Sequence, residues 1–352
     1  MKRKLKVGDW VEVRSREEIL QTLDSNAEYD GMPFMPEMFE FCGKRFQIYK
    51  RAHKTCDTVF PVRGRRVADA VHLGTRCSGL AHGGCQASCL LFWKTAWLKP
   101  ADGKWDAEKQ SPREPGLTES SVEGATHSVD PGGREIKYRC QATRLPYATA
   151  NLEWWDLGQY LEDFTSGNVG MGRILSSFIY MATLALSRAG IGLGRPIRWL
   201  YDKCYPLWRG APFPRRTGLI PDDVPTPVEN LNLKPGELVQ IRPYYEILRT
   251  LNANNRNRGL YFDAEEVPYC GKTYRVAKRV ERIINERTGK MQEMKTPCVI
   301  LDSVICESRY SECRLFCPRS IYPYWREIWL KRVAHDTSGV LSEKDAKVAT
   351  TL

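Results

Sequence analysis

The sequence has no Cys-x2-Cys pair, no secretory h-region and no apolar run long enough to cross a bilayer. Without Cys-x2-Cys, the knuckle spacing that usually builds zinc ribbons is missing. The start, MKRKLKVGDW, carries basic residues but no apolar stretch, so no export signal is expected and the expected compartment is the cytoplasm. The longest apolar stretch, Ile174 to Ser187, lies between Arg173 and Arg188. It is too short for a hydrocarbon core of ~30 Å. A core helix is the first expectation there; an amphipathic helix giving peripheral membrane contact through 171–189 is the second. There is also no G-x-G-x-x-G fingerprint, P-loop, G-x-S-x-G elbow or H-E-x-x-H helix, which argues against the common nucleotide and hydrolase sites.

What is present is an ordinary globular composition, with 42% hydrophobic and 27% charged residues, so a disordered or fibrous chain is set aside. A chain of 352 residues exceeds what one core usually holds, and two or three domains are expected. The net charge of +11 invites a nucleic-acid or anionic-surface partner, but Lys and Arg are interspersed with acids throughout. Twelve cysteines without an export signal point to a reducing compartment, where thiols serve as ligands, nucleophiles or core fillers.

The dominant feature is an internal duplication. Lys6–Arg51 aligns without a gap on Lys234–Arg279 at an offset of 228, with 18 of 46 positions identical. The match returns at Cys77, Cys85 and Cys89 against Cys306, Cys313 and Cys317. Trp93, Trp97, Leu98 and Lys99 then match Trp325, Trp329, Leu330 and Lys331. Each copy opens with a turn glycine and an alternating strand pattern (KVGDWVEVR, KPGELVQIR), followed by a short helical turn and a Cys-Gly turn into a second strand. The openings resemble those of SH3-like barrels. The expected fold is α+β with mostly β modules: two duplicated small SH3-like barrels or rolls joined by a helical connector. The expected divisions are 1–99 and 233–335 for the modules, 100–135 for a flexible linker, 136–232 for a strand plus helical connector, and 336–352 for a disordered tail. Within the connector, IKYRCQATR alternates like a strand.

Eight cysteines fall at matched positions. Cys42 and Cys270, each before a turn glycine, are expected to pack. The repeated trios sit in small-residue loops (RCSGLAHGGCQASC, ICESRYSECRLFC), where a backbone can fold around a metal. A closed site needs a fourth ligand. The first copy offers Cys56, with His53, His72 and His82 as further candidates, His82 as ligand or as support for one. The second offers Cys298. Cys56 aligns with Ile284, so the copies would recruit their fourth cysteine from different places. Thiolates at such varied spacing favour an iron–sulfur cluster of the 4Fe-4S type; zinc, or no metal, remain open.

The Trp-x3-Trp-Leu-Lys segments read as core anchors, with a base-stacking platform as the sharper alternative. Cys140, in YRCQATR, is a candidate nucleophile without an identifiable base. The segments HLGTRCSGLAHGGCQASCLLFWKTAWL, YRCQAT and CPRSIYPYWREIWLKR resemble a bacterial cysteine-rich family with an internal duplication. That resemblance implies no activity or ligand, so no roles follow from it. The residues together point to a metal-binding protein, iron–sulfur in type. It would act in redox or small-molecule biosynthesis as an enzyme or electron-transfer accessory, with a small molecule or redox protein as partner. The alternative is a nucleic-acid-binding protein with structural zinc sites. The proposed ligands are Cys56, Cys77, Cys85, Cys89 and His82, with Cys298, Cys306, Cys313 and Cys317 in the second copy; no catalytic residue is identifiable.

Overall fold

The computed structural model describes residues 4–60, 63–101, 117–190, 192–208 and 210–333. The fold is α+β, with helices and seven small antiparallel sheets. Among the described residues no sheet closes into a barrel.

The two halves run through the same succession of elements, and the residues identical between them explain why. Gly8 and Gly236 hold φ of 89° and 91°, a left-handed conformation that glycine adopts without a Cβ penalty. The turns they make open the strands Trp10–Val13 and Leu238–Ile241. Val11, Val13, Val239 and Ile241 are fully buried at alternate positions, the period of a strand packed on one face. Short helices follow at Arg16–Leu20 and Tyr244–Leu248. The first is closed by a capping box between Ser15 and Glu18; the second has Pro243 at the cap. Later in each copy, Leu98–Pro100 and Leu330–Arg332 return to pair with the opening strand.

The tryptophans lock this frame. Phe34 meets Trp93 and Trp97 edge-on, as Phe262 meets Trp325 and Trp329. The Trp97 indole N–H donates to Thr22 Oγ1 at 3.1 Å, and Trp329 to Thr250 Oγ1 at 3.0 Å. All four indoles are fully buried. They are core anchors, and no face is left on which a base could stack.

The copies diverge after their Cys-Gly turns. In the second, Thr273–Ile284 and Met291–Leu301 form one long hairpin within a five-stranded sheet. In the first, the same stretch breaks into short strands, of which Lys54–Cys56 and Gly64–Val67 form a hairpin of their own.

Between the halves, the expected linker 100–135 needs correction. Residues 102–116 lie outside the described residues, and the described remainder forms the helix Glu119–Gly124 and the hairpin His127–Val129 with Ile136–Tyr138. Thr118 caps that helix and Val122 is buried, so this part has a start signal and a core contact. The expected strand IKYRCQATR ends at Tyr138, and Gln141–Ala148 is helical. Its buried Gln141 side chain bonds the Phe92 N–H and C=O and the Pro33 carbonyl, fastening Cys140 to the first half. Three helices follow, Gly158–Thr165, Met171–Arg188 and Gly194–Cys204. The tail expected over 336–352 lies outside the described residues.

The sequence alignment sets His72 against Leu301, but the strand registers place it at the position of Ile300 in the second copy, and both are fully buried. Its Nδ1 lies 2.7 Å from the Leu91 carbonyl, while Nε2 has no hydrogen-bond partner among the described residues. Burial pushes this imidazole down to about 3. The unfolded chain therefore binds a proton that the native state does not, so stability falls as pH drops from about 6.5 towards 3. For His72→Leu, the pH dependence of the melting temperature between pH 7 and 4 should flatten, with about 2 kcal/mol less acid destabilisation at pH 5. An unchanged pH profile would refute this.

Candidate functional site

The loop after Ala70–His72 doubles back on itself. The Cys77 N–H donates to the Cys89 carbonyl at 2.9 Å, and Gly79, Gly83 and Gly84 all have positive φ, which lets the chain turn tightly in between. At Gly79 a Cβ would stand 1.9 Å from the Cys85 carbonyl oxygen, so only glycine fits. This folding gathers Cys77, Cys85 and Cys89. The fourth thiol beside them is Cys140, from the connector. Burial, then the Glu37 carboxylate, then the Cys89 and Cys140 thiols, push Cys77 well above its ordinary value. Burial and the neighbouring Cys89 thiol push Cys140 up to about 12, and burial pushes Cys89 up to about 11.

The matching loop of the second half gathers Cys306 and Cys317, with Cys313 between them in sequence. Here the fourth thiol comes from the other module. The Cys56 N–H donates to Cys317 Sγ at 3.0 Å. Gly64, the ladder partner of Cys56, would place a Cβ 3.7 Å from the Cys313 carbonyl oxygen. Hydrogen bonding to Cys317, then burial, raise the Cys56 thiol. Burial opposes ionisation of Cys317 as well, but the Cys56 thiol and the N–H groups of Arg319 and Cys56 outweigh it, and Cys317 is brought down to about 6.

The expected partners are therefore rearranged. Cys56 sits with the second trio and not with Cys77, Cys85 and Cys89. Cys298 is fully buried in a separate apolar cluster with Val280 and Ile300, its thiol near the Val280 carbonyl, and serves packing. His82 is buried between two acceptors, with Nδ1 3.0 Å from Glu37 Oε1 and Nε2 3.2 Å from the Arg139 carbonyl. Both ring nitrogens are thus engaged by the protein itself, one with the Glu37 carboxylate and one with a backbone carbonyl. Glu37, Cys77 and His82 nevertheless form one tight group, their ligand-type atoms within 4.8 Å of one another. His53 lies elsewhere, 3.2 Å from Asp163.

Glu37 and its counterpart Glu265 take the same place in both copies. Each carboxylate acts on the first cysteine of its trio. Glu265 accepts from the N–H groups of Arg309 and Tyr310 and from Ser311 Oγ, pinning the cysteine loop of the second half.

Reciprocal arms join the two sites. The backbone N–H of Ile284, the residue aligned with Cys56, donates to Cys85 Sγ at 3.4 Å. Gln86 N–H donates to the Arg282 carbonyl on the same strand. The hairpin tip then delivers Glu286, which grips the fully buried Arg319 guanidinium at 2.7 and 3.2 Å and also accepts from Thr58. Arg319 feels Glu286, Cys56 and Cys89, one thiol from each group, so it stands between the two sets. Lys278 is half-buried among Cys85, Cys77 and Cys89, bonded to Ser88.

The sequence reading missed Cys140, Arg319, Glu286 and Lys278 as parts of these sites. Cys140 carried a signal, since each repeated trio lacked one ligand and only unmatched cysteines could supply it. Set against known protein families, curated proteins and solved structures, the chain matches none.

Removing one partner of the Arg319–Glu286 pair should be asymmetric. Glu286→Ala strands a fully buried guanidinium and is expected to cost about 3–5 kcal/mol in denaturant unfolding. Arg319→Leu leaves a carboxylate that reaches solvent and should cost clearly less. Equal costs would contradict this account.

Proposed function

We propose that this protein holds two iron–sulfur clusters of the 4Fe-4S type, one on Cys77, Cys85, Cys89 and Cys140 and one on Cys56, Cys306, Cys313 and Cys317. It would serve as a redox enzyme or electron-transfer accessory. The observation that carries this reading is the gathering of Cys77, Cys85, Cys89 and Cys140 in one place and of Cys56, Cys306 and Cys317 in another, with Cys313 on the same loop as the last two.

Spacing favours iron–sulfur over zinc. A tetrahedral zinc with Zn–S near 2.3 Å draws its sulfurs to about 3.8 Å from one another. The two trios are spaced by seven or six and then three intervening residues, with no Cys-x2-Cys knuckle in the chain. A larger inorganic core suits such sets.

Charge supports the same reading. Arg319 and Lys278 face the thiols, and the charged groups that act most on Lys278 are Cys85, Cys77 and Cys89. Four cysteinates around a cluster carry net negative charge, which such cations compensate. Backbone N–H bonds to Cys85 and Cys317 are the kind that adjust cluster potential. Burial holds most of these thiols protonated, so binding would release protons and grow stronger with pH.

All twelve cysteines are free thiols, in keeping with a reducing, cytoplasmic setting. Among the described residues no helix is long and apolar enough to cross a membrane. The repeated opening strands and turns still support an SH3-like origin for each module. Nucleic-acid binding through stacked indoles loses its support with the burial of all four repeated tryptophans.

Anaerobic purification followed by optical spectroscopy and analysis of iron and acid-labile sulfide tests the proposal. The expected result is a brown protein with about eight irons and eight sulfides per chain. Cys140→Ser and Cys56→Ser should each remove about half of the iron, whereas Cys298→Ser should keep it all. A colourless protein with stoichiometric zinc, or iron retained in both ligand variants, would overturn it.

A further inference from the structure

Half of the large exposed hydrophobic residues among those described fall between Trp154 and Leu207, on or beside three neighbouring helices. Met171–Arg188 carries apolar residues on both sides, burying Ile174, Tyr180 and Leu184 in the core. Ser176, Ser177 and Ser187 are buried, while Leu175, Phe178, Ile179 and Leu186 face outward. The outward set recurs at three, four and seven residues, so it forms one continuous stripe. The preceding helix repeats the pattern with Leu157, Leu161 and Phe164, exposed at 72%, 65% and 45%. The following helix exposes Trp199 and Leu200, with Leu207 just beyond at 83%. The helices are contiguous: Tyr160 packs on Phe178, and Tyr180 on Tyr201. A patch of this extent marks an interaction surface.

Charge identifies the occupant. Residues 171–204 contain Arg173, Arg188, Arg195, Arg198 and Lys203 against one acid, Asp202. Arg173 and Arg188 are paired with Glu307 and Glu312, and Glu162 and Asp163 of the first helix with Arg51 and Lys54. This leaves Arg195 and Lys203 as the exposed cations without a carboxylate among the described residues. Lys203 lies over the Trp199 ring at 5.8 Å, combining an indole and a cation at one spot. Trp154 and Trp155 form an exposed edge-to-face pair just before the first helix. Apolar stripes flanked by arginines and indoles are what a helix lying in a lipid interface presents. A second copy of the chain would set Arg195 and Lys203 against their own images, which disfavours a symmetric dimer through this face.

We propose that the helices Gly158–Thr165, Met171–Arg188 and Gly194–Cys204 dock the protein on an anionic lipid membrane, lying in its interface without spanning it. Attachment combines burial of the apolar stripe with attraction of Arg195 and Lys203 to lipid headgroups.

Vesicle co-sedimentation of the full chain tests this, with phosphatidylcholine alone and with phosphatidylcholine containing phosphatidylglycerol. Pelleting with the anionic vesicles, weakened by salt and much reduced on phosphatidylcholine alone, is expected. Leu175→Glu with Leu186→Glu should weaken it at least about tenfold. Both positions are exposed, so circular dichroism should be unchanged. Arg195→Glu with Lys203→Glu, also at exposed positions, probes the same face through charge alone and should give a comparable loss. Two outcomes would overturn the proposal. One is no pelleting above the vesicle-free control; the other is a wild-type dimer, seen by analytical ultracentrifugation, that the leucine variants dissociate while vesicle binding is absent.

Discussion

A guanidinium with almost no access to water sits where the two halves of this protein meet, and its neutralisation governs what surrounds it. Arg319 belongs to the second copy, Glu286 to the tip of the second copy's long hairpin, and Thr58 to the first copy. Burying an arginine is tolerable only with a well-placed counter-charge. The hairpin must therefore reach the place where Thr58 and the Cys56 strand also lie. Fixing that tip sets Ile284 against Cys85 and leaves Cys56 against Cys317. One electrostatic requirement thus holds both cysteine loops in register.

The duplication explains why the sites are alike, and the exchange of arms explains why they differ. Positions 56 and 284 are equivalent in sequence, and each sends a backbone N–H to a cysteine sulfur of the opposite copy. At 56 the residue also brings a thiol; at 284 it brings only an isoleucine side chain. Beside the first trio stands Cys140 instead, held at the start of a helix that Gln141 ties to the first core. Two related loops thus meet a further thiol from two unrelated places.

The same division appears in the histidines. His72 replaces Ile300 inside the core, where the ring keeps one nitrogen without a partner among the described residues. His82 replaces Tyr310 and answers Glu37, whereas Glu265 satisfies itself on backbone N–H groups, that of Tyr310 included. These differences looked like chemical equipment confined to one copy. Their surroundings make them local substitutions within one repeated scaffold, with the carboxylate beside the first cysteine kept in both.

The sequence by itself determined the repeat, the alternating opening strands, the tryptophan anchors and the two cysteine trios. All of these are local patterns or identities at a fixed offset, and each is written in the types and spacing of neighbouring residues. Only the tertiary structure decided that Cys56 meets the second cysteine loop, because Cys56 and Cys317 are separated by 261 positions and come together through the packing of two modules. It likewise decided that Cys298 packs, that His82 is paired with Glu37, and that one apolar stripe of Met171–Arg188 faces outward. Periodicity identifies a helix's apolar face, but which face is covered depends on the neighbours that arrive from elsewhere in the chain.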